Sequence, residues 1–303
     1  MDTIQLGDVS VTRIMEYYGP DTLTPETFFP SAPSSFWPQN EQWLRPDFWD
    51  PETNIVQVAT QSWLLMSNGK NILVDAGAGN HKERPYVPGW AHMNTNFIAN
   101  LQAAGLQPSD INIVINTHLH IDHVGWNTYL DGRRWVPTFP NARYLMTSRD
   151  FEFWNPTGPH TPNLGRGNQN VFEDSVLPVW EAGLVDLWDE EHIIDNNLRL
   201  ELAPGHTPGS SVLALNSQGV SALFVGDMVH TPMQILHPEN NSCFCEDPDQ
   251  ARETRLRFLA RAATDDSLVF PAHFGGHGAA RVSADGDGFK LLEWAAFSVP
   301  TPS

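Results

Sequence analysis

Between Val56 and Val74 the apolar residues crowd into two short runs, Ser62-Trp63-Leu64-Leu65-Met66 and Asn71-Ile72-Leu73-Val74, on either side of Ser67-Asn68-Gly69-Lys70. Asn-Gly between apolar runs supplies the positive φ angles of a tight turn, so this segment predicts a β-hairpin, ended by Asp75-Ala76-Gly77. Thr95 to Ala104 predicts a helix capped by Asn94 or Thr95 and stopped at Gly105, and Ile111-Asn112-Ile113-Val114-Ile115 a buried strand. Leu198, Leu200 and Leu202 alternate with Arg199 and Glu201, as in a strand with one wet face. Ser211 to Leu215 then pairs with Val220 to Val225 across Asn216-Ser217-Gln218-Gly219. Asp249 to Ala263 predicts a helix with Leu256, Leu259, Ala260 and Ala263 at helical spacing, and Ser267-Leu268-Val269-Phe270 a final buried strand. Many strands, few helices, no repeat and no linker predict an α+β domain over 1–303, built of sheet packed on sheet and covered by helices.

Residues 1 to about 55 depart from this pattern. Phe28, Phe29, Phe36, Trp37, Trp43, Phe48 and Trp49 are interleaved with prolines. Disordered segments lack aromatics, so this stretch reads as an ordered arm whose rings pack on the body, cover a pocket or meet a second copy in a homodimer.

Charge narrows the partners. Asp and Glu number 36 against 17 Lys and Arg, a net charge of -19, with the basic residues scattered. Nucleic acid and anionic membranes should be repelled, which leaves a small molecule as the expected partner. The start, Met1-Asp2-Thr3-Ile4-Gln5-Leu6, lacks the basic and apolar regions of a signal peptide, so a cytoplasmic protein is expected. Cys243 and Cys245, one residue apart, cannot staple distant parts of a fold and read as ordinary reduced thiols.

The chemistry concentrates after the Ile111–Ile115 run. Thr117-His118-Leu119-His120-Ile121-Asp122-His123 sets three imidazoles and a carboxylate within six positions. Neutral imidazoles and carboxylates suit a borderline divalent ion such as Zn²⁺. Further candidate ligands stand at predicted strand ends: His206 within Pro204-Gly205-His206-Thr207-Pro208-Gly209, Asp227 after Val225-Gly226, and His273 after Pro271-Ala272. Side chains at strand ends can converge where scattered surface histidines do not.

These residues resemble the metallo-β-lactamase superfamily, whose H-x-H-x-D-H hallmark stands here as His118, His120, Asp122 and His123. Asp75 with Gly77 resembles its early Asp-x-Gly element, and His206, Asp227 and His273 its remaining ligands. The resemblance implies an αββα sandwich of two mixed β-sheets flanked by helices, holding two divalent ions, zinc in the first instance. His118, His120 and His206 would hold one ion, Asp122, His123 and His273 the other, with Asp227 touching both and Asp75 orienting the ligand loop. The implied mechanism is hydrolysis by a metal-bridging hydroxide, for which Asp122, Asp227 and His230 are the catalytic candidates.

Within the superfamily, Asp227 argues against β-lactams, because the Cys-containing β-lactamases carry a thiol there and another class lacks the bridging carboxylate. The short stretch after His273 argues against a glyoxalase II-like thioesterase with its C-terminal helical domain, and the acidic charge against an RNA-processing member. Gly226-Asp227-Met228-Val229-His230 resembles the methyl parathion hydrolase and lactonase branch, where many lactonases carry a tyrosine three residues after the aspartate. His230 holds that place here and is suited to donate a hydrogen bond to a developing oxyanion. Opening of lactones or cleavage of related esters on an uncharged, hydrophobic substrate is the expected activity. A phosphotriester or aryl-ester hydrolase is the alternative, and a metal oxidant or ligand sensor the reading from another class. His277 reads as a loop residue, with a pocket-lining role as its alternative.

Overall fold

The computed structural model describes residues 2–286 and 288–300. Two mixed sheets lie face to face. In the first, Thr3–Leu6, Val9–Pro20, Ile55–Ser67, Lys70–Val74, Ile113–Ile115, Arg143–Thr147 and Val185–Trp188 follow one another across the sheet, with the short strand Trp49–Asp50 added on Ile55–Ser67. In the second the order is Glu191–Ile193, Leu198–Leu202, Ser211–Ser217, Val220–Gly226, Leu268–Pro271, Ala280–Asp285 and Gly288–Trp294.

Period-two alternation sorts side chains into layers. Ile72, Val74, Ile115, Phe224 and Phe270 fill the seam between the sheets. Their neighbours Leu73 and Val114 face outward onto the helix Phe97–Ala103, while Leu223 and Val225 face outward onto the helix Pro248–Thr264. Helix, sheet, sheet, helix is the predicted αββα sandwich.

The predicted hairpin forms, with Met66 opposite Asn71 and Ser67 opposite Lys70, and Asn68 and Gly69 at φ of 47° and 73°. Other expectations shift. The first helix begins at Phe97, because Thr95 is occupied elsewhere, its hydroxyl donating to Glu16. In the long helix Leu256 is exposed, and the buried face includes Arg255, whose guanidinium donates to the carbonyls of Met228, Pro238 and Asn240. Leu268–Pro271 is not the last strand, since Ala280–Asp285 and Gly288–Trp294 extend the sheet beyond it.

Residues 1–55 are not one arm. Thr3–Leu6 and Val9–Pro20 belong to the first sheet, where Val9–Pro20 pairs along Ile55–Ser67. The aromatic stretch after them packs on the outer face of the second sheet, with six of its seven rings buried: Phe28, Phe29, Phe36, Trp37, Phe48 and Trp49. Of the places expected for these rings, packing on the body is the one most of them take, and Phe28 also reaches the cavity described below. Among the described residues no helix is long and apolar enough to cross a membrane.

Candidate metal centre

Parallel strands present the loops at their carboxyl ends side by side, and that is where the site lies. Lys70–Val74, Ile113–Ile115 and Arg143–Thr147 run parallel, as do Val220–Gly226 and Leu268–Pro271. Asp75, the His118 loop, Asp227 and His273 each follow the end of one of them. Gly226, at φ +50°, turns the chain into Asp227 where a Cβ would lie 2.6 Å from the Thr117 hydroxyl.

Seven predicted ligands converge in two groups. His118 Nε2 lies 3.1 Å from His120 Nδ1, which lies 3.0 Å from His206 Nε2. Asp227 Oδ2 closes this group, 3.7 Å from His118 Nε2 and 3.3 Å from His206 Nε2. The other oxygen, Oδ1, is 3.1 Å from His123 Nε2 and 3.0 Å from His273 Nε2, and Asp122 reaches those nitrogens at 3.6 and 3.4 Å. Donors about 2.1 Å from a tetrahedral ion stand roughly 3.4 Å apart, so both groups have the spacing of a ligand set, with one carboxylate divided between them.

Two further observations fit divalent cations. His123 Nε2 and Asp227 Oδ1, both in the second group, are buried without a hydrogen bond of good geometry, a costly state for a polar atom with nothing to bind. The electrostatics also asks for positive charge. Burial opposes a charge on His123 and His206, yet Asp227, with Asp122 and Asp75 beside His123 and Cys245 beside His206, raises both, His206 to about 9. Burial would raise Asp227, and His123, His273, His230 and His118 outweigh it and hold the carboxyl well below its usual range. Burial lowers His118 and His120 well below the ordinary imidazole value, which keeps them as lone-pair donors. Cations stand in for the protons that this cluster attracts.

Around the ligands, backbone and side chains hold the rings. Asp75 takes a left-handed φ of 60° and aims its carboxylate at the His118 loop, accepting from Thr117 N and Oγ1 at 2.8 and 2.9 Å and from His123 Nδ1 at 2.9 Å. Such outer partners are worth about 10–100-fold in metal affinity or activity. Asp75→Asn, which presents an amide to one of these donors, should lower metal affinity by that factor in a chelator competition. Unchanged affinity would show that the His118 loop holds itself.

The sequence did not disclose Asp150, Glu16 or Cys245. Asp150 lies in the helix Ser148–Trp154 and accepts from Leu119 N, Thr207 Oγ1 and Gly209 N, tying the two histidine loops together. Gly209 packs so closely there that a Cβ would lie 2.0 Å from Thr147 Oγ1. Burial pushes the Asp150 carboxyl up to about 6. Glu16, which is buried, accepts from Ala78 N, Gly79 N and Trp126 Nε1 and shapes the turn after Asp75. A lone Asp or Glu in a helix or strand carries no local signal of such a role. His277 stays out of the site, its Nδ1 bonded to Phe297 O and its ring stacked on Trp294.

A cavity of about 550 Å³ opens over the second group, with Phe28, Val58, Tyr86, Trp90, Leu164 and Phe244 among its walls and Asp122, Asp227, His230 and His273 at its floor. His230 is buried, Nε2 3.2 Å from Asp227 Oδ2, its ring parallel to His273 and edge-on to Phe28. Nδ1 has no hydrogen-bond partner, and the Nε2 contact with Asp227 falls short of good hydrogen-bond geometry. Burial lowers its pKa to about 4, so the imidazole is neutral at pH 7.

The face-to-face sheets with helices on both sides have the metallo-β-lactamase fold, with His and Asp groups able to hold metal at one end. Residues 56–273 match the sequence profile of the metallo-beta-lactamase superfamily, and the chain belongs to that superfamily. Among curated proteins it is 30% identical over 115 residues to the N-acyl homoserine lactonase AttM of Azorhizobium caulinodans and 27% identical over 117 residues to AttM of Rhizobium radiobacter. These matches span 37% of this chain and only 38–39% of the relatives' lengths. Among solved structures it is similar to the hydrolase AbOPH of the beta lactamase superfamily, with TM-score 0.79, 24% identity and 96% of each chain covered. It is also similar to AidC, a dizinc quorum-quenching lactonase, with TM-score 0.79, 21% identity and 97% of each chain covered. At these identities the structural likeness speaks for the fold.

Proposed function

We propose that this protein is a two-metal hydrolase that opens lactones or cleaves related carboxylic esters of uncharged, hydrophobic substrates. The division of Asp227 between two ligand groups, at the floor of an apolar cavity, carries the proposal. The lactonase names among its relatives support the substrate class. Two divalent ions in such a donor set, zinc by its chemistry, lower the pKa of a water and polarise a substrate oxygen.

The protein's own residues supply the rest. His118, His120 and His206 would hold one ion and Asp122, His123 and His273 the other, with Asp227 joining them. Asp122 is the more accessible of the two carboxylates, its side chain 14% exposed towards the cavity, and is placed to take the proton of an attacking water. His230 remains neutral and offers an N–H, not a full proton charge, to the oxygen that gains charge as the ester opens. Its backbone N–H donates to Gln234 Oε1 at 2.7 Å, which fixes the segment bearing the ring. Phe28, Tyr86, Trp90 and Phe244 exclude water from the substrate's apolar part and orient it towards Asp227.

The decisive test is a metal-replete panel of γ- and δ-lactones, aryl esters, phosphotriesters, thioesters and β-lactams. Lactones or simple esters should give the highest kcat/KM. A phosphotriester turned over faster than every lactone and ester would replace this reading with the phosphotriesterase one. Removing the His230 donor by His230→Phe should lower kcat by about 10²-fold on the best substrate, with metal content unchanged. An unaltered kcat would reduce His230 to packing.

A further inference from the structure

Each histidine that turns Nε2 into the centre must carry its proton on Nδ1, and that proton needs an acceptor to fix the ring. Oxygen provides it three times. His118 Nδ1 lies 3.1 Å from Thr117 Oγ1, His123 Nδ1 lies 2.9 Å from Asp75 Oδ2, and His273 Nδ1 lies 2.8 Å from Ala59 O. His206 departs from the pattern, because its Nδ1 faces Cys245 Sγ at 3.8 Å. The sulfur is buried, and Ser242 Oγ is its other polar neighbour at 3.7 Å.

The backbone around the thiol is docked on the same ligand loop. Glu246 N donates to His206 O and Asp247 N to Gly205 O, both at 2.9 Å, and Asp247 then caps the long helix by accepting from Gln250 N. Residues 245–247 therefore move with His206 as one unit. Phe244, next to the cysteine, lines the cavity, and Glu246 accepts from Asn163 N and Leu164 N, so a second cavity-lining segment is joined to the unit as well.

We propose that Cys245 is a positioning residue of the metal centre, its sulfur accepting the Nδ1–H of His206 and fixing the ring that closes the group formed with His118 and His120. The proposal rests on the two-ion reading above. Sulfur is a weaker and longer acceptor than the oxygens serving the other rings, so His206 is the ligand whose orientation rests on the softest of these contacts. Cys243, which is exposed, takes part in none of the contacts described above.

Cobalt(II) titration with chelator competition and visible absorption tests this on the whole chain. Wild type should take up two equivalents. Cys245→Ala should release one of them about 10–100-fold more readily, with a changed absorption band, while Cys245→Ser, which restores an acceptor, stays within about threefold of wild type. Cys243→Ala should match wild type in both readouts. Unchanged release and absorption in Cys245→Ala would overturn the proposal. Equal losses in Cys245→Ala and Cys245→Ser, matched by an equal fall in metal-free thermal stability, would also overturn it by showing that packing is the role. Fewer than two equivalents in wild type would instead remove the two-ion reading, and this proposal with it.

Discussion

Asp227→Ala should reduce turnover of the best substrate by about a thousandfold or more and leave the protein with fewer than two equivalents of metal. The effect follows from one side chain serving both ligand groups, Oδ2 with His118 and His206, Oδ1 with His123 and His273. Its removal leaves six buried imidazoles, counting His230, with Asp122 on the side of the second group as the one carboxylate left in either ligand set. Two cations held close together would then repel each other unshielded. A thousandfold corresponds to about 4 kcal/mol at the transition state, in the range expected when metal activation of water is lost. Asp227→Asn sharpens the test, because an amide offers an oxygen to one group and a donor N–H₂ to the other. That variant should bind one ion and remain nearly as inactive as the alanine form. Full activity in either variant, measured with metal content in the same samples, would end the bridged two-ion reading.

The second large effect is expected away from the ligands. Asp150→Ala should destabilise the fold by about 3–5 kcal/mol, since the buried Leu119 N, Gly209 N and Thr207 hydroxyl each lose an acceptor and an unsatisfied buried group costs about 1–3 kcal/mol. Urea unfolding should show the loss as a lower midpoint at unchanged slope. Metal affinity should fall with it, because Leu119 lies between two ligands of the His118 loop and Thr207 follows His206. A variant as stable as wild type would show that each loop keeps its shape without the carboxylate between them. Thr207 Oγ1 has Ser210 Oγ as a second partner at 2.8 Å, so the two amide donors carry most of the cost.

The two effects mark how far the sequence could be read. His118, His120, Asp122 and His123 announce themselves because so many ligand types within one turn of chain have no packing explanation. His206, Asp227 and His273 were recognisable because each follows the end of a legible strand and is flanked by small or turn-forming residues. Asp150, Glu16 and Cys245 have no such setting. Their roles consist of contacts with residues far away in the chain, and one carboxylate in a helix looks like any other until its partners are known. The same limit explains the Arg255 face of the long helix. Leu256 and Ala260 fit an apolar period, but buried carbonyls from Met228, Pro238 and Asn240 required a donor there, and the guanidinium took the position.

The sequence by itself showed packed sheets and, through the family resemblance of its H-x-H-x-D-H segment, named seven candidate ligands, because strand alternation and strand-end histidines are local properties of the chain. Only the tertiary structure decided which oxygen of Asp227 serves which ligand group. It alone showed that His230 stands at the floor of an apolar cavity beside Asp227, that Asp150 ties the two histidine loops together, and that Cys245 Sγ faces His206 Nδ1. Those facts depend on distances of about 3 to 4 Å between residues tens of positions apart, and such distances exist only once the two sheets have closed on each other.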